Sequence, residues 1–178
     1  MGRSRLIHLA LPAAAVGAAL ATAAPAAADD AGLFNAYVAR QPTDIKAAND
    51  AYLAAFERVE RSDGDRGIRA LIRANKGINE VLTVVEGELD AQAPSSEIGT
   101  RAKRNAIREV RGWRRANRYE NRGWRRALTG RSATRQFDRA EDEFLLAFRQ
   151  GKKAVRRFKK LGLSSPERGI TRSAVGEG

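Results

Sequence analysis

The chain has 178 residues, of which 43% are hydrophobic, 30% charged and 6% aromatic, and 33 Lys and Arg against 21 Asp and Glu give a formal net charge of +12. This balance argues against both a disordered chain and a multi-span membrane protein. Cysteine is absent, and the one histidine and the one methionine are His8 and Met1. Both lie in the first 28 residues, which we expect to be removed, so the mature chain would have no Cys, His or Met. Haem ligation, zinc sites built from Cys and His, Ser-His or Cys-His catalysis and disulfide bonding all need these residues, so we expect no haem, no zinc and no other cofactor.

The first 28 residues are typical of an export signal. Two arginines precede an apolar, alanine-rich run over 6–24, and three small residues follow at 26–28. This order predicts a signal peptide over 1–28 with cleavage after Ala28, and therefore a secreted or extracytoplasmic protein. The alternative is an uncleaved membrane anchor, which is less favoured because Pro12 interrupts the run and alanine gains little free energy on entering a bilayer.

Beyond this segment, apolar residues recur at helical spacing in four blocks that are separated by Gly, Pro or Ser, without the alternation typical of strands. The blocks predict helices over 31–61, 66–92, 96–128 and 133–161, and Pro42 predicts a kink or a restart within the first of them. Helices of about 30 residues joined by turns of about four residues must pack antiparallel to their sequence neighbours. The predicted fold is all-α, an up-down-up-down four-helix bundle over 29–162, followed by a disordered tail over 163–178.

Residues suited to helix N-caps mark where these helices begin. Thr43 follows the kink, Asp65 follows a glycine turn, and Ser95 or Ser96 precedes Glu97, whose charge complements the helix dipole. The fourth helix is expected to bury one face, which consists of Phe137, Ala140, Phe144, Ala147, Phe148, Val155, Phe158 and Leu161.

An eleven-residue repeat is the one specific pattern in the chain. The segment Glu109–Ala116 recurs with one mismatch as Glu120–Ala127. Eleven residues make three helical turns plus about 20°, so Trp113 and Trp124 lie on one face about 16 Å apart. We predict that both are core anchors, because small apolar residues share their face. The less favoured alternative is that they stack on a ligand or insert into lipid headgroups.

The repeat also places two glutamates on the apolar side of the third helix. Glu109 and Glu120 are expected to pair with an Arg or with Asn75 from a facing helix, because an unpaired buried charge is costly. At about 16 Å apart they cannot form one acid–base or metal pair, and the Glu-x-x-His motif of di-iron bundles is absent, so we predict that the protein is not an enzyme. The less favoured alternative is an all-carboxylate metal site or a Lys- or Glu-based catalyst, to which no spacing in the sequence points. Five helical glycines are expected to mark close helix approaches: Gly77, Gly87, Gly112, Gly123 and Gly151.

The opposite side of the third helix is rich in arginine, with Ile107 and Tyr119 as departures from a clean amphipathic pattern. From Arg101 to Arg135 there are 13 basic and 2 acidic residues, so neighbouring acids can offset only part of the charge. The candidate ligand-binding residues, named here the arginine face, are Arg104, Arg108, Arg111, Arg114, Arg115, Arg118, Arg122, Arg125 and Arg126. The alternative is a solvated face without a ligand.

These features favour an exported, non-enzymatic helical bundle that binds an anionic polymer or surface through the arginine face. Envelope glycopolymer, nucleic acid and anionic lipid all have the required charge. A second hypothesis is a structural or protein-interaction module that pairs with another protein or with itself. A third is a membrane-active bundle, which would require Trp113 and Trp124 to leave the core.

Overall fold

The computed structural model describes residues 25–39, 41–61 and 64–163. Within these ranges all regular secondary structure is helical and no strand occurs, which confirms the all-α class. The elements are α1 (Pro25–Val38), a π-helical turn (Gln41–Ile45), α2 (Lys46–Glu60), α3 (Gly64–Ala91), α4 (Glu97–Ala127) and α5 (Thr134–Lys160). Most of the expected signal peptide, residues 1–24, and all but the first residue of the expected tail lie outside the described residues.

The first predicted helix is interrupted at Pro42, and of the two expected forms, a kink or a restart, the structure has the restart, with two α-helices. A π-helical turn that contains Pro42 separates α1 from α2. Proline has no N–H to donate and its ring collides with the carbonyl of the preceding turn, so an α-helix cannot continue unchanged through it. Thr43 lies inside this turn and is not an N-cap, because α2 begins at Lys46 without a side-chain cap. Helix α1 begins at Pro25, a residue type suited to a first helical turn, and so overlaps the end of the expected signal peptide.

The remaining helix starts show one error and one confirmed cap. Helix α3 begins at Gly64, whose φ of +48° suits glycine, so Asp65 lies in the first turn and is not the N-cap. At the start of α4 the Ser96 hydroxyl accepts a hydrogen bond of 2.9 Å from the Gly99 N–H, as a capping serine does. Glu97 follows in the first turn, where its charge complements the helix dipole.

The core forms along α4, which contributes residues to both clusters of buried side chains. The larger cluster includes residues of α1, α3, α4 and α5, and the smaller one joins α2 and α3 to Trp124. Trp113 packs against Phe144 with ring centroids 5.1 Å apart, and Trp124 packs against Phe137 at 4.9 Å. Both tryptophans are buried, as predicted from the repeat.

Helix α5 buries a narrower stripe than its apolar pattern predicts. Small residues dominate the stripe, and its buried members are Ala140, Ala147, Gly151, Ala154 and Phe158. The prediction was wrong for Phe148 and Val155, which are 38% and 42% exposed. Small side chains let α5 approach α4 closely, and a closely packed helix contact covers only a narrow arc of the helix surface. Ile107 was also misjudged, because it packs against the larger core cluster.

Close helix approach occurs at three of the five helical glycines. A Cβ at Gly112 would lie 2.8 Å from Ala147 Cβ, and one at Gly123 would lie 2.7 Å from the ring of Phe137. At Gly151 it would collide with the Glu109 carboxylate. The prediction was wrong for Gly77 and Gly87, where a Cβ would meet nothing within 4 Å.

We therefore expect opposite effects of alanine at these glycines. Gly77→Ala and Gly87→Ala should each raise the free energy of unfolding by roughly 0.4–1 kcal/mol, because alanine restricts the unfolded chain without a clash. Gly112→Ala should lower it by about 1–3 kcal/mol, because α4 and α5 must move apart. Urea denaturation followed by circular dichroism measures all three. Gly112→Ala with wild-type stability would contradict the close packing of α4 on α5.

Candidate anion-binding face

Helix α4 has a buried side and an arginine-rich side. The buried side is made of small residues and the two tryptophans, with Ala102, Ala106, Val110 and Ala116 among its members. Seven exposed arginines follow one another at alternating steps of four and three residues, and we name this set the arginine stripe: Arg104, Arg108, Arg111, Arg115, Arg118, Arg122 and Arg125. Steps of three and four keep residues on one face of a helix, so the stripe extends for about 31 Å along α4.

The middle of the stripe is partly neutralised by carboxylates of the neighbouring helices. Arg111 Nε lies 2.5 Å from Glu86 Oε1 of α3, and Arg115 Nη2 lies 2.9 Å from Glu143 Oε2 of α5. Arg114 also pairs with Glu86. Burial alone would raise the pKa of Glu86, but the hydrogen bonds and charges of these two arginines outweigh it, so the pKa is below its ordinary value.

The two ends of the stripe carry arginines without such partners. Within the described residues no carboxylate forms an ion pair with Arg104 or Arg108 near the start of α4, nor with Arg118, Arg122 or Arg125 near its end. Arginines without ion pairs repel each other and add no ion-pair stabilisation to the fold. Folding therefore does not account for the density of positive charge along α4.

Two residues of the predicted arginine face lie apart from the stripe. Arg114 is only partly exposed and points to Glu86 of α3, and Arg126 donates a hydrogen bond of 2.7 Å from Nε to the Ser132 carbonyl in the turn after α4. The nine predicted residues are therefore seven in one row and two at its sides. Whether they bind a ligand remains a prediction.

A shallow cleft of about 210 Å³ opens beside the middle of the stripe. Its lining residues are Glu86, Arg111, Arg114, Arg115 and Arg118. Four guanidinium groups surround one carboxylate here, so the cleft has an excess of positive charge even with Glu86 ionised.

Tyr119 is the aromatic residue associated with this surface. The guanidinium of Arg122 lies 5.6 Å from the centre of its ring, and that of Arg139 from α5 lies 5.8 Å away. Contacts of this kind hold a guanidinium against an aromatic ring while leaving its N–H groups able to bind anions. The ring of Tyr119, an apolar group among the arginines, thus helps to position Arg122 and Arg139.

On the buried side of α4, each glutamate of the repeat accepts a hydrogen bond from a tyrosine. Tyr37 Oη of α1 donates to Glu109 Oε2 at 2.7 Å, and Tyr52 Oη of α2 donates to Glu120 Oε1. The predicted partner Asn75 is confirmed for Glu120, with its Nδ2 3.0 Å from Glu120 Oε2. The alternative of an arginine partner was wrong for both glutamates.

The tryptophans of the repeat lie beside the same carboxylates. Trp124 Nε1 donates to Glu120 at 3.3 Å, one helical turn earlier. The equivalent N–H of Trp113 lowers the pKa of Glu109 by its proximity, although it does not reach the geometry of a full hydrogen bond. Burial dominates, however, and raises the pKa of Glu109 to about 7. Burial and the adjoining carboxylates also raise the pKa of Tyr37 and Tyr52, which therefore remain protonated donors at neutral pH.

Comparisons of this chain with protein-family models, with curated proteins and with solved structures find no match. Among the described residues, no group of three or more His, Cys, Asp or Glu side chains is arranged to hold a metal ion, and none of the helices has the length and apolarity needed to span a membrane.

The raised pKa of Glu109 predicts a pH-dependent stability. Because the folded-state pKa of about 7 exceeds the ordinary 4.5, the folded protein gains protons in this interval, and stability falls as pH rises through it. Glu109→Gln remains neutral, so its free energy of unfolding relative to wild type should increase by roughly 2–3 kcal/mol between pH 5 and pH 8. Urea unfolding across this range measures the difference. Glu60→Gln, at an exposed glutamate of α2, should run parallel to wild type, and a parallel Glu109→Gln curve would contradict the buried ionisable site.

The tyrosine hydroxyls should contribute measurably to stability. Tyr52→Phe removes one donor from the buried Glu120 carboxylate, so we expect a loss of about 1.5–3 kcal/mol in the free energy of unfolding. Tyr119→Phe is the matched control, because that tyrosine contributes its ring to arginine contacts. Equal effects of the two substitutions would show that the buried hydrogen bond adds nothing.

Proposed function

We propose that this protein binds an anionic polymer through the arginine stripe of α4, recognising charge density and not a sequence. The observation that carries the proposal is the row of seven exposed arginines at alternating steps of four and three residues, five of which have no ion pair within the described residues. Guanidinium groups form paired hydrogen bonds with phosphate, sulfate and carboxylate, and are the preferred side chains for such contacts.

The shape of the surface favours an extended chain of negative groups. Neighbouring arginines of the stripe are about 5 Å apart along a single helix. An extended polyanion can lie along this row and release several counterions at once, which favours binding at moderate ionic strength. Like charges at this spacing repel each other, and an anionic ligand would relieve that repulsion.

The aromatic residues support contact with charged groups over stacking on bases. Trp113 and Trp124 are in the core, and the ring of Tyr119 lies against Arg122 and Arg139. Base stacking needs exposed aromatic rings. The third hypothesis, membrane activity of this helix, is not supported, because it requires both tryptophans to leave contacts with phenylalanines of α5.

The proposal includes export and a bundle topology. Residues 1–28 would direct the protein out of the cytoplasm, and the anionic polymers of the cell envelope would then be within its reach. In the up-down-up-down arrangement, α1 and α2 together take the place of the first of the four helices, which is the first member of the bundle. Tyr37 and Tyr52 meet Glu109 and Glu120 in the same order along the chain, which supports a parallel course of this member and α4. No catalytic step is part of the proposed function.

A salt titration of the purified protein on immobilised heparin tests the proposal. We expect retention beyond about 0.3 M salt and a steep linear fall of the logarithm of affinity with the logarithm of salt concentration. Elution below physiological salt would reduce the stripe to a solvated helix face.

Two sets of substitutions distinguish binding by the arginine stripe from an effect of the total positive charge of the protein. Replacing Arg104, Arg108, Arg118 and Arg122 by Gln removes four arginines that lack ion pairs, and should lower the salt slope by up to about four contacts. The control replaces four exposed cations of α3 by Gln, which are Arg66, Arg69, Arg73 and Lys76. It removes the same charge from one face of a neighbouring helix. An equal loss of heparin affinity in both sets would contradict a role for the stripe.

A further inference from the structure

Helix α5 carries a second unexplained surface, on which apolar side chains are exposed between charges. Leu145, Phe148 and Val155 are 39%, 38% and 42% exposed. They lie at steps of three and seven residues, which places them on one face of the helix. Lys152 lies on the same face, with its Nζ 4.4 Å from the centre of the Phe148 ring. An apolar row of this kind on an otherwise charged helix is a candidate interaction surface.

The charges along α5 divide this surface into two halves. The first half of the helix carries four acids, Asp138, Glu141, Asp142 and Glu143, beside two basic residues, Arg135 and Arg139, and is net acidic. The last half carries no acid and seven basic residues, which are Arg149, Lys152, Lys153, Arg156, Arg157, Lys159 and Lys160. Glu141 and Lys159 are both exposed and lie at the two ends of the apolar row. Within the described residues neither forms an ion pair. An acidic half and a basic half on one helix are complementary to the same helix in the opposite direction.

The positions of these residues are symmetric about residue 150. Reversing the helix about that point exchanges Glu141 with Lys159, Leu145 with Val155, and Phe148 with Lys152. All are exposed and follow the alternating three- and four-residue steps by which two helices pack side by side. A surface that matches its own reversed copy is the requirement for a twofold-symmetric dimer.

We propose that the partner of this surface is a second copy of the chain, bound antiparallel along α5. Leu145 of each copy packs against Val155 of the second copy, and Phe148 against the stem of its Lys152. Glu141 of each copy pairs with Lys159 of the second copy at both ends of the row. Asp142 and Arg156 lie beside the row and form a second charge pair across it. Arg149 of the two copies meets near the twofold axis, and this repulsion keeps the association reversible.

The row is short, so we expect a weak dimer that forms only as the protein concentration rises. From Glu141 to Lys159 it measures about 27 Å along the helix. Small interfaces of this kind give weak, reversible complexes, with half association expected at roughly 10–100 µM. This surface is separate from the arginine stripe, so dimer formation and heparin binding can fail independently.

Sedimentation velocity of the purified protein over a concentration series tests the proposal. We expect a shift from monomer to dimer as concentration rises to about 100 µM. Leu145→Glu should abolish the shift, and Leu146→Glu, at the adjacent exposed leucine on another side of α5, should leave it unchanged. Circular dichroism checks that both variants remain helical. A wild-type monomer at every concentration, or a dimer that tolerates Leu145→Glu, would overturn the proposal.

Charge reversal tests the antiparallel register. Glu141→Lys and Lys159→Glu should each weaken the dimer by about tenfold, because each places like charges at both ends of the row. Mixing the two variants should restore association, since both ends of the mixed dimer then join opposite charges.

A disulfide test distinguishes the antiparallel dimer from a parallel one. A parallel dimer would place residue 141 beside residue 141 of the second copy, and it would also gain from mixing the charge-reversal variants. Leu145→Cys mixed with Val155→Cys should cross-link under oxidation, and neither should cross-link alone, because the equivalent positions are about 15 Å apart in the antiparallel pair. Cross-linking of Leu145→Cys with itself would overturn the register.

Discussion

The packing of α4 depends on two carboxylates that are taken out of water and satisfied by tyrosine hydroxyls. Glu109 and Glu120 each accept a hydrogen bond from a helix of the N-terminal half, and each has a tryptophan one turn later that packs on α5. A buried carboxylate tolerates few arrangements of its neighbours. A buried oxygen left without a hydrogen bond lowers the free energy of unfolding by more than a formed hydrogen bond raises it. The pairs therefore help to fix the register of α1 and α2 along α4.

The repeat explains how one helix supports a core and a charged surface together. In each copy the glutamate meets a tyrosine, the glycine lets α5 approach, and the tryptophan fills the space beside that contact. The arginines of the repeat fall on the other side. Substitutions on the charged side therefore leave the buried contacts of α4 in place, so the charge of this side and the packing of the core can be varied separately.

Sequence periodicity predicted the helical class, the burial of both tryptophans and the cap at Ser96, because these follow from local spacing and from single side chains. The tyrosine partners of the glutamates were missed, since nothing in spacing along one helix says which residue of another helix will face it. Phe148 and Val155 were placed in the core because apolarity does not show how closely two helices approach. For the arginines, the sequence shows the row but not which members Glu86 and Glu143 neutralise.

The anchoring of α4 at Trp113 and Trp124 has a consequence for the arginine stripe. A helix held by aromatic contacts at two points about 16 Å apart keeps the Cα atoms of its arginines at nearly constant separation whether or not a ligand is bound. Under the proposed function the backbone of the protein is then preorganised, and the conformational entropy lost on binding comes from the arginine side chains and from the polymer. The stiffness of a polyanion, in addition to its charge, would therefore determine how well it binds.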